Sequence, residues 1–240
     1  MSDVALDTSA EIHHSHRDVN GGWLRPAVFG AMDGLVSNVA LITGVAAAAG
    51  RHTHIIVITG LAGLLAGAFS MAVGEWTSVH SQSELVRAEI AKERRELVRN
   101  SEAEQHELAA LYRSRGLSPA LAEQVATELS RHPETLWRIH VREELGVDPD
   151  HLPSPYVAAA SSLISFASGA FIPLAPYVFG ATQLWLSLVV AAVSLTALGA
   201  SVAHFTDRPL WLGAVRQLGL GAAAAAITYG VGSAFGVGLN

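Results

Sequence analysis

Seven glutamates lie within residues 84–107 of a chain in which half of the residues are hydrophobic. Four of them, Glu93, Glu96, Glu104 and Glu107, form two pairs whose members are three residues apart. On a helix, residues at this spacing share one face. Four converging carboxylates repel one another, and their oxygens suit a hard or borderline divalent cation such as Fe²⁺, Mn²⁺, Zn²⁺ or Mg²⁺. The spacing therefore indicates a candidate metal site.

The two pairs can meet only if the chain folds between them. On one straight helix, Glu93 and Glu107 would lie about 21 Å apart, too far to share an ion. Ser101 stands three residues before Glu104, which is the pattern of a capping box and predicts a new helix after Asn100. A turn at that point would bring the second pair back beside the first.

The same segment also fits an ordinary solvent-exposed helix face. Lys92, Arg94, Arg95 and Arg99 are interleaved with the glutamates, as they are on many surface helices. From the spacing alone this alternative stays open.

Two further acidic residues, Asp33 and Glu75, lie inside long apolar segments. An ionised group within a membrane helix costs about 2.5–3.5 kcal/mol on insertion scales, so both are candidate functional residues. Met71 precedes Glu75 by one turn, and Ser37 and Asn38 follow Asp33 by about one turn. We expect these five residues to line a transport pathway in which carboxylates and a thioether exchange a metal ion for protons. The alternative is that Glu75 lies at the membrane surface and Met71 faces lipid.

Five apolar blocks must position these residues. Each is long enough to cross a bilayer core of about 30 Å. The last block is interrupted by Arg216 and Gln217, so its apolar core is expected to begin only at Leu218. The blocks are Ala27–Ala49, His54–Val79, Tyr156–Val178, Leu184–Ala203 and Leu210–Leu239.

Charge placement predicts the orientation of these spans. If the N-terminus is cytoplasmic, segments 1–26, 80–155 and 204–217 hold 14 of the 15 Lys and Arg residues, and only Arg51 lies outside. This asymmetry follows the positive-inside rule. We therefore expect a multi-pass protein of the cell (cytoplasmic) membrane, with the N-terminus and the insert between spans 2 and 3 in the cytoplasm.

The insert, residues 80–151, has helix signals of its own. Helix starts are predicted at Ser101, at Ser118-Pro119 and at Pro133, and Gly146 is expected to end the last helix. The predicted organisation is a disordered tail over 1–22 with His13, His14 and His16, spans 1 and 2 over 23–79, a cytoplasmic helical metal-binding domain over 80–151, and spans 3 to 5 over 152–240. The fold class is an all-α membrane protein with five transmembrane helices.

Composition excludes several classes of protein. The chain has no cysteine, so it has neither disulfides nor thiolate metal sites. The first 26 residues contain no apolar core and are not read as a signal peptide. A net charge of −6 gives no reason to expect a nucleic-acid partner.

These motifs together resemble the vacuolar iron transporter family, and more closely its bacterial members. The resemblance covers residues 23–239 and rests on four features: "FGAMDGLVSN", "GLLAGAFSMAVGEWTSV", the glutamate-rich insert and "GAFIPLAPY". It implies a homodimer of five-helix subunits that exports cytosolic Fe²⁺, often also Mn²⁺, in exchange for protons. It implies no enzyme activity and no tightly bound cofactor.

The resemblance also assigns residues. Asp33 and Met71 match the family's pathway aspartate and methionine, and the four glutamates of the two pairs match its metal ligands. Glu144 matches a fifth glutamate. The sequence departs from the family at Gly63, where the family has a glutamate whose role Glu75 would partly take over. It also departs at His140 and Val141, where the family has methionines, and His140 is a candidate imidazole ligand one turn before Glu144.

The resulting hypothesis is a proton-coupled exporter of divalent metal ions. One alternative is a membrane-anchored, ferritin-like metal-binding protein without transport; the Glu-x-x-His motifs typical of di-iron bundles are absent from the glutamate pairs, which argues against it. Another is an insert that serves only for dimerisation. It would leave Asp33 and Glu75 unexplained.

Overall fold

The structure, a computed structural model, describes residues 22–49 and 52–236. Within these ranges the chain folds into eight helices. No strand occurs in these ranges, so the all-α prediction is confirmed. The predicted disordered tail, with His13, His14 and His16, lies outside the described residues except for Gly22. The helices are α1 Leu24–Ala49, α2 Thr53–Arg99, α3 Ser101–Ser114, α4 Pro119–Ser130, α5 Pro133–Glu144, α6 Pro155–Val178, α7 Leu184–Phe205 and α8 Leu210–Gly236.

Five of these helices are long and apolar enough to cross a membrane, namely α1, α2, α6, α7 and α8. Helix α8 begins at Leu210 and continues through Arg216 and Gln217, the two polar residues that interrupt the last apolar block. Gln217 is buried where α8 meets Gly199 of α7, and Arg216 is exposed. A polar pair is therefore accommodated without breaking the helix.

Helices α1, α6 and α8 run in one direction, and α2 and α7 run in the other. The start of α1 lies beside the start of α6, where the Ser161 hydroxyl donates a hydrogen bond to the Trp23 carbonyl. At the other end of the bundle, Ile42 of α1, Ile56 of α2 and Leu174 of α6 share one buried cluster. The beginning of α1 and the insert consequently lie at the same end of the bundle.

Small residues let α1 and α6 approach backbone to backbone. A methyl group added to Gly34 would clash with the Phe166 carbonyl, and one added to Gly169 would clash with the Ala31 carbonyl. Small residues at such positions are typical of packed membrane helices. The contact fixes α1, which carries Asp33, against α6.

Helix α2 has 47 residues, which corresponds to about 70 Å at 1.5 Å per residue. Neither glycine nor proline occurs between Glu75 and Arg99, so nothing in the sequence ends the helix where its apolar part stops. The helix ends at Asn100, whose φ of −133° leaves the helical region. Its second half is thus a rigid extension of a membrane helix.

Helices α3, α4 and α5 pack against this extension around a small core. Leu108, Ala109, Ala126 and Leu136 form a buried cluster on which Leu97 of α2 also packs. The three helices begin at Ser101, Pro119 and Pro133, the starts predicted from the sequence.

Candidate metal centre

One group of side chains in the insert has the geometry of a metal site. Glu93 comes from α2, Glu104 from α3, and His140 and Glu144 from α5. Each offers one ligand atom, and these atoms all lie within 4.8 Å of one another. Within residues 22–49 and 52–236 this is the one such group of three or more His, Asp or Glu side chains.

The Nδ1 atom of His140 lies at the centre of the group. It is 3.1 Å from Glu93 Oε1, 3.1 Å from Glu144 Oε1 and 3.7 Å from Glu104 Oε2. Atoms that bind one tetrahedral ion at about 2.1 Å lie roughly 3.4 Å from each other. The three distances from the nitrogen to the carboxylate oxygens are close to this value, and the four side chains are near enough to share one ion.

The group is buried and incompletely hydrogen bonded. The side chain of His140 is 0% exposed, and the Glu93 side chain is 10% exposed. Nδ1 of His140 is hydrogen bonded to Glu144 Oε1. Glu93 Oε1 lies at the same 3.1 Å distance from Nδ1 but makes no hydrogen bond, and the buried Nε2 of His140 makes none either. Buried polar atoms in proteins are normally paired. A cation among the carboxylates would satisfy the oxygen that the protein leaves unpaired.

Burial, together with the charges of neighbouring carboxylates, raises the pKa values of three glutamates in the group. Burial, followed by the charge of Glu144, raises the pKa of Glu93 to about 7, although His140 opposes the shift. Burial is also the main cause that raises the pKa values of Glu104 and Glu144. Several carboxyl groups that share a buried site without compensating charge take up protons readily. A divalent ion would provide that charge.

Glu96 and Glu107 lie beside this group and not within it. Glu96 is half-buried and Glu107 is exposed. They follow Glu93 and Glu104, the group members of their pairs, by three residues each. After burial, their negative charges are among the causes that raise the pKa of Glu144. Of the six predicted insert ligands, the structure therefore brings four together and leaves two at the rim.

The turn at Asn100 joins the two glutamate pairs, but the predicted capping box does not form. Helix α3 begins at Ser101, and no side chain caps its first turn. The Glu104 side chain, which a capping box would direct back toward that turn, lies in the metal group instead. The predicted start of the helix is confirmed, and the predicted hydrogen bond is wrong.

Trp137 fixes α5 beside Glu93, and sequence reasoning does not single it out. The Arg94 guanidinium of α2 lies 3.7 Å from the centre of the Trp137 ring, a favourable cation–π arrangement. Arg94, which from the sequence could belong to an ordinary solvated face, thus links α2 to α5. An arginine interleaved with glutamates gives no local signal of such a contact.

The five predicted pathway residues lie in the membrane bundle. Asp33 is half-buried in α1, and the Ser37 hydroxyl donates a 2.5 Å hydrogen bond to its backbone carbonyl. The Asn38 amide donates a 2.6 Å hydrogen bond to the Ala170 carbonyl of α6, and its Oδ1 is buried without a hydrogen-bond partner. Ser37 and Asn38 therefore hold backbone groups of α1 and α6.

Met71 and Glu75 lie on the face of α2 that packs against the bundle. Met71 contacts the cluster that contains Phe166 and Ala170. Glu75 is 9% exposed, and its Oε2 is buried without a hydrogen-bond partner. Glu93 follows Glu75 by 18 residues, which is five helical turns, so the two carboxylates lie on one face of α2 about 27 Å apart.

The sequence of the chain was compared with known protein families and proteins. The model of the VIT family matches residues 24–233. A vacuolar iron transporter of Acanthamoeba castellanii is 39% identical over 219 residues, which cover 88% of this chain and 78% of that protein. Vacuolar iron transporter 1 of Oryza sativa subsp. japonica is 30% identical over 98% of this chain and 94% of its own length. These relatives come from an amoeba and a plant, so they give no support to the expected closer similarity to bacterial members. The chain belongs to the VIT family, a family of transporters and not of enzymes.

Proposed function

We propose that this protein is a proton-coupled transporter that removes divalent metal ions from the cytosol. The observation that carries the proposal is the group Glu93–Glu104–His140–Glu144, which is built on the continuation of a membrane-spanning helix. A metal site on a rigid extension of α2 is well placed to supply ions to the bundle below it. The names of the relatives, vacuolar iron transporters, point to iron as the cargo.

In this proposal the insert captures the ion. Three carboxylate oxygens and one imidazole nitrogen suit Fe²⁺, Mn²⁺ and Zn²⁺. Glu96 and Glu107 add negative charge at the rim and raise the local concentration of cations. The metal ion is the transported substrate, and none of these residues needs a resident cofactor.

The ion then passes to the membrane bundle. Glu75 and Met71 on α2 and Asp33 on α1 provide the next oxygen and thioether ligands, and Ser37 and Asn38 position the backbone of α1. Protonation of Asp33 or Glu75 from the far side would release the ion, because a neutral carboxylic acid is a poor ligand. In this proposal the step couples metal release to proton binding, so that the proton gradient drives export of the ion.

Orientation and assembly belong to the same proposal. The insert and the start of α1 lie at one end of the bundle, and the distribution of Lys and Arg favours a cytosolic position for that end. Asp33 is only partly covered by the subunit's own helices, and Ser37 is exposed, which favours a homodimer in which a second subunit completes the pathway. We retain the cell membrane as the predicted location; the relatives are named for the vacuole.

Flux measurements in liposomes test the proposal. Purified protein should move Fe²⁺ or Mn²⁺ across the bilayer with counter-movement of protons, and Asp33→Asn should abolish the flux while metal binding by the insert is preserved. Glu102→Gln is a suitable control because Glu102 is exposed and lies outside the metal group. Stoichiometric binding without flux in the unmodified protein would overturn transport and leave a membrane-anchored metal-binding protein.

A further inference from the structure

Helix α5 presents two chemically different faces. His140 and Glu144, one turn apart, point into the metal group. Arg138 and Arg142, also one turn apart, are offset from them by two residues. This offset is about 200° of rotation around the helix, so the arginines lie on the opposite face.

Both arginines are bonded to the segment that leads from α5 to α6. Arg142 donates from Nη2 and Nε to Asp148 Oδ1, at 2.8 and 3.2 Å. Arg138 Nε lies 3.1 and 3.3 Å from the two carboxylate oxygens of Asp150. We refer to Arg138, Arg142, Asp148 and Asp150 as the linker clasp.

Hydrogen bonds within the linker define its local conformation. Asp148 Oδ1 accepts a hydrogen bond from the Asp150 backbone N–H at 3.3 Å, and Asp148 Oδ2 lies 2.8 Å from Nδ1 of His151. Hydrogen bonds from Arg142 and His151 lower the pKa of Asp148 to about 2. Pro149 restricts the backbone between the two aspartates. The clasp thus holds α5 against a defined turn that continues into α6.

The ion pairs of the clasp contribute little to the folding stability of the protein. The four side chains are between 38% and 49% exposed, and exposed ion pairs contribute at most about 1 kcal/mol each. The clasp is instead placed to set the rotation of α5, because its bonds lie directly behind the two ligands.

We propose that the linker clasp is a positioning element of the metal centre: by fixing α5 to the turn before α6, it directs His140 and Glu144 onto Glu93 and Glu104. This inference rests on the proposed function of that group as a metal site. The clasp residues bind no metal themselves; they orient the ligands, as the outer partners of metal ligands commonly do.

The direction in which one substitution changes metal affinity distinguishes a positioning role from a purely electrostatic effect. Arg142 carries a positive charge near a site for cations, so removing that charge without other effects would tighten metal binding. If Arg142 positions α5, its removal weakens binding. Arg142→Gln therefore gives opposite results under the two explanations.

The test is Mn²⁺ binding to the full-length protein in detergent, followed by the EPR signal of free Mn²⁺. We expect Arg142→Gln to weaken binding about tenfold, in the range found for outer-shell partners of metal ligands, and Arg142→Lys to weaken it less. Asp148→Asn, which keeps an acceptor for the Asp150 N–H, should also weaken binding. In the double variant Arg142→Gln/Asp148→Asn the loss of affinity should be smaller than the sum of the two single losses, because both changes remove the contact between Arg142 and Asp148.

The matched control is Arg131→Gln, which removes an exposed arginine paired with Glu128 on α4, away from the clasp. It should leave Mn²⁺ affinity unchanged, and thermal unfolding of all variants should show that each is folded. Suppose that the unmodified protein binds Mn²⁺ and that this binding requires Glu93. Unchanged or tighter Mn²⁺ binding in Arg142→Gln would then overturn the positioning role of the clasp and leave the metal site standing. Absence of Mn²⁺ binding in the unmodified protein would overturn the metal site and the clasp together. Binding that depends on both Glu93 and Arg142, without flux in liposomes, would support the clasp and overturn only transport.

Discussion

At the scale of single residues, His140 lies among three carboxylates, and a single hydrogen bond from its ring nitrogen cannot pair with all of them. Its Nδ1 atom faces three carboxylates, and one proton on that nitrogen can serve only one of them at full strength. Glu93 is the carboxylate whose inward oxygen remains unpaired. The same crowding that makes the metal-free group unfavourable makes it a good ligand set for a divalent ion.

Replacement of Glu93 by glutamine should affect metal binding and stability in opposite directions. Glutamine keeps the shape of the side chain and removes its charge, so affinity for Mn²⁺ should fall at least about tenfold. The metal-free protein should unfold at a higher temperature at pH 8, because one buried, repelled carboxylate is gone. Binding titrations and thermal unfolding check both expectations. The exposed Glu102→Gln should change neither quantity, and an unaltered Mn²⁺ affinity in Glu93→Gln would exclude Glu93 as a ligand.

The raised pKa values predict how the metal-free protein responds to pH. The pKa of Glu93 is about 7 in the folded protein, against 4.5 for an ordinary glutamate, so between these values the folded state binds more protons than the unfolded state. Stability without metal should therefore decrease as pH rises from about 4.5 to 7. Metal affinity should increase over the same range, since binding requires the ionised carboxylate.

Thermal unfolding of metal-free protein at pH 5.5 and pH 8 measures the first effect. The unfolding temperature should be lower at pH 8, and the difference should shrink in Glu93→Gln, which no longer titrates at that position. A difference of the opposite sign, or one that is the same in the variant, would show that Glu93 does not have a raised pKa.

At the scale of helices, most of the architecture was predictable because its signals are local. Ser101, Pro119 and Pro133 mark the starts of α3, α4 and α5, and the apolar blocks mark the five spans. The failed predictions were decided by packing. Ser101 and Glu104 have the spacing of a capping box, but burial of Glu104 in the metal group prevails over that local hydrogen bond.

The ligand set was predictable only in part for the same reason. Spacing within residues 93–107 identifies two glutamate pairs but cannot say which member of each pair faces inward. That choice is made by α5, which follows about 30 residues later and brings His140 and Glu144 to one side. Their spacing of four residues was a usable local signal, but the resemblance to the family was what identified them. The linker clasp and the contact between Arg94 and Trp137 depend on tertiary packing alone.

The close contact of α1 with α6 leads to a prediction about Gly34. Gly34→Ala would place a methyl group against the Phe166 carbonyl and force the helices apart. Overpacking of this kind typically costs about 1–3 kcal/mol, so the variant should unfold at a lower temperature in detergent. Gly74→Ala is the matched control, because a methyl group there meets nothing within 4 Å and alanine favours a helix. Equal unfolding temperatures for the two variants would contradict the close approach of α1 and α6.

At the scale of the whole molecule, α2 connects the two parts that the proposed function requires. Glu75 in the bundle and Glu93 in the insert lie on one face of an uninterrupted helix. Helix α5 joins the other side of the metal group to α6, which packs on α1 beside Asp33. The insert is thus attached to the bundle both through α2 and through the turn before α6.

The most direct test of this account is anomalous diffraction at the manganese absorption edge from crystals of the full-length protein grown with Mn²⁺. We expect an anomalous peak in the insert between Glu93, Glu104, His140 and Glu144, at about 2.1–2.2 Å from their ligand atoms, and loss of that peak in Glu93→Gln. Ordered crystals without a peak at this position, or with manganese bound only elsewhere in the protein, would contradict it.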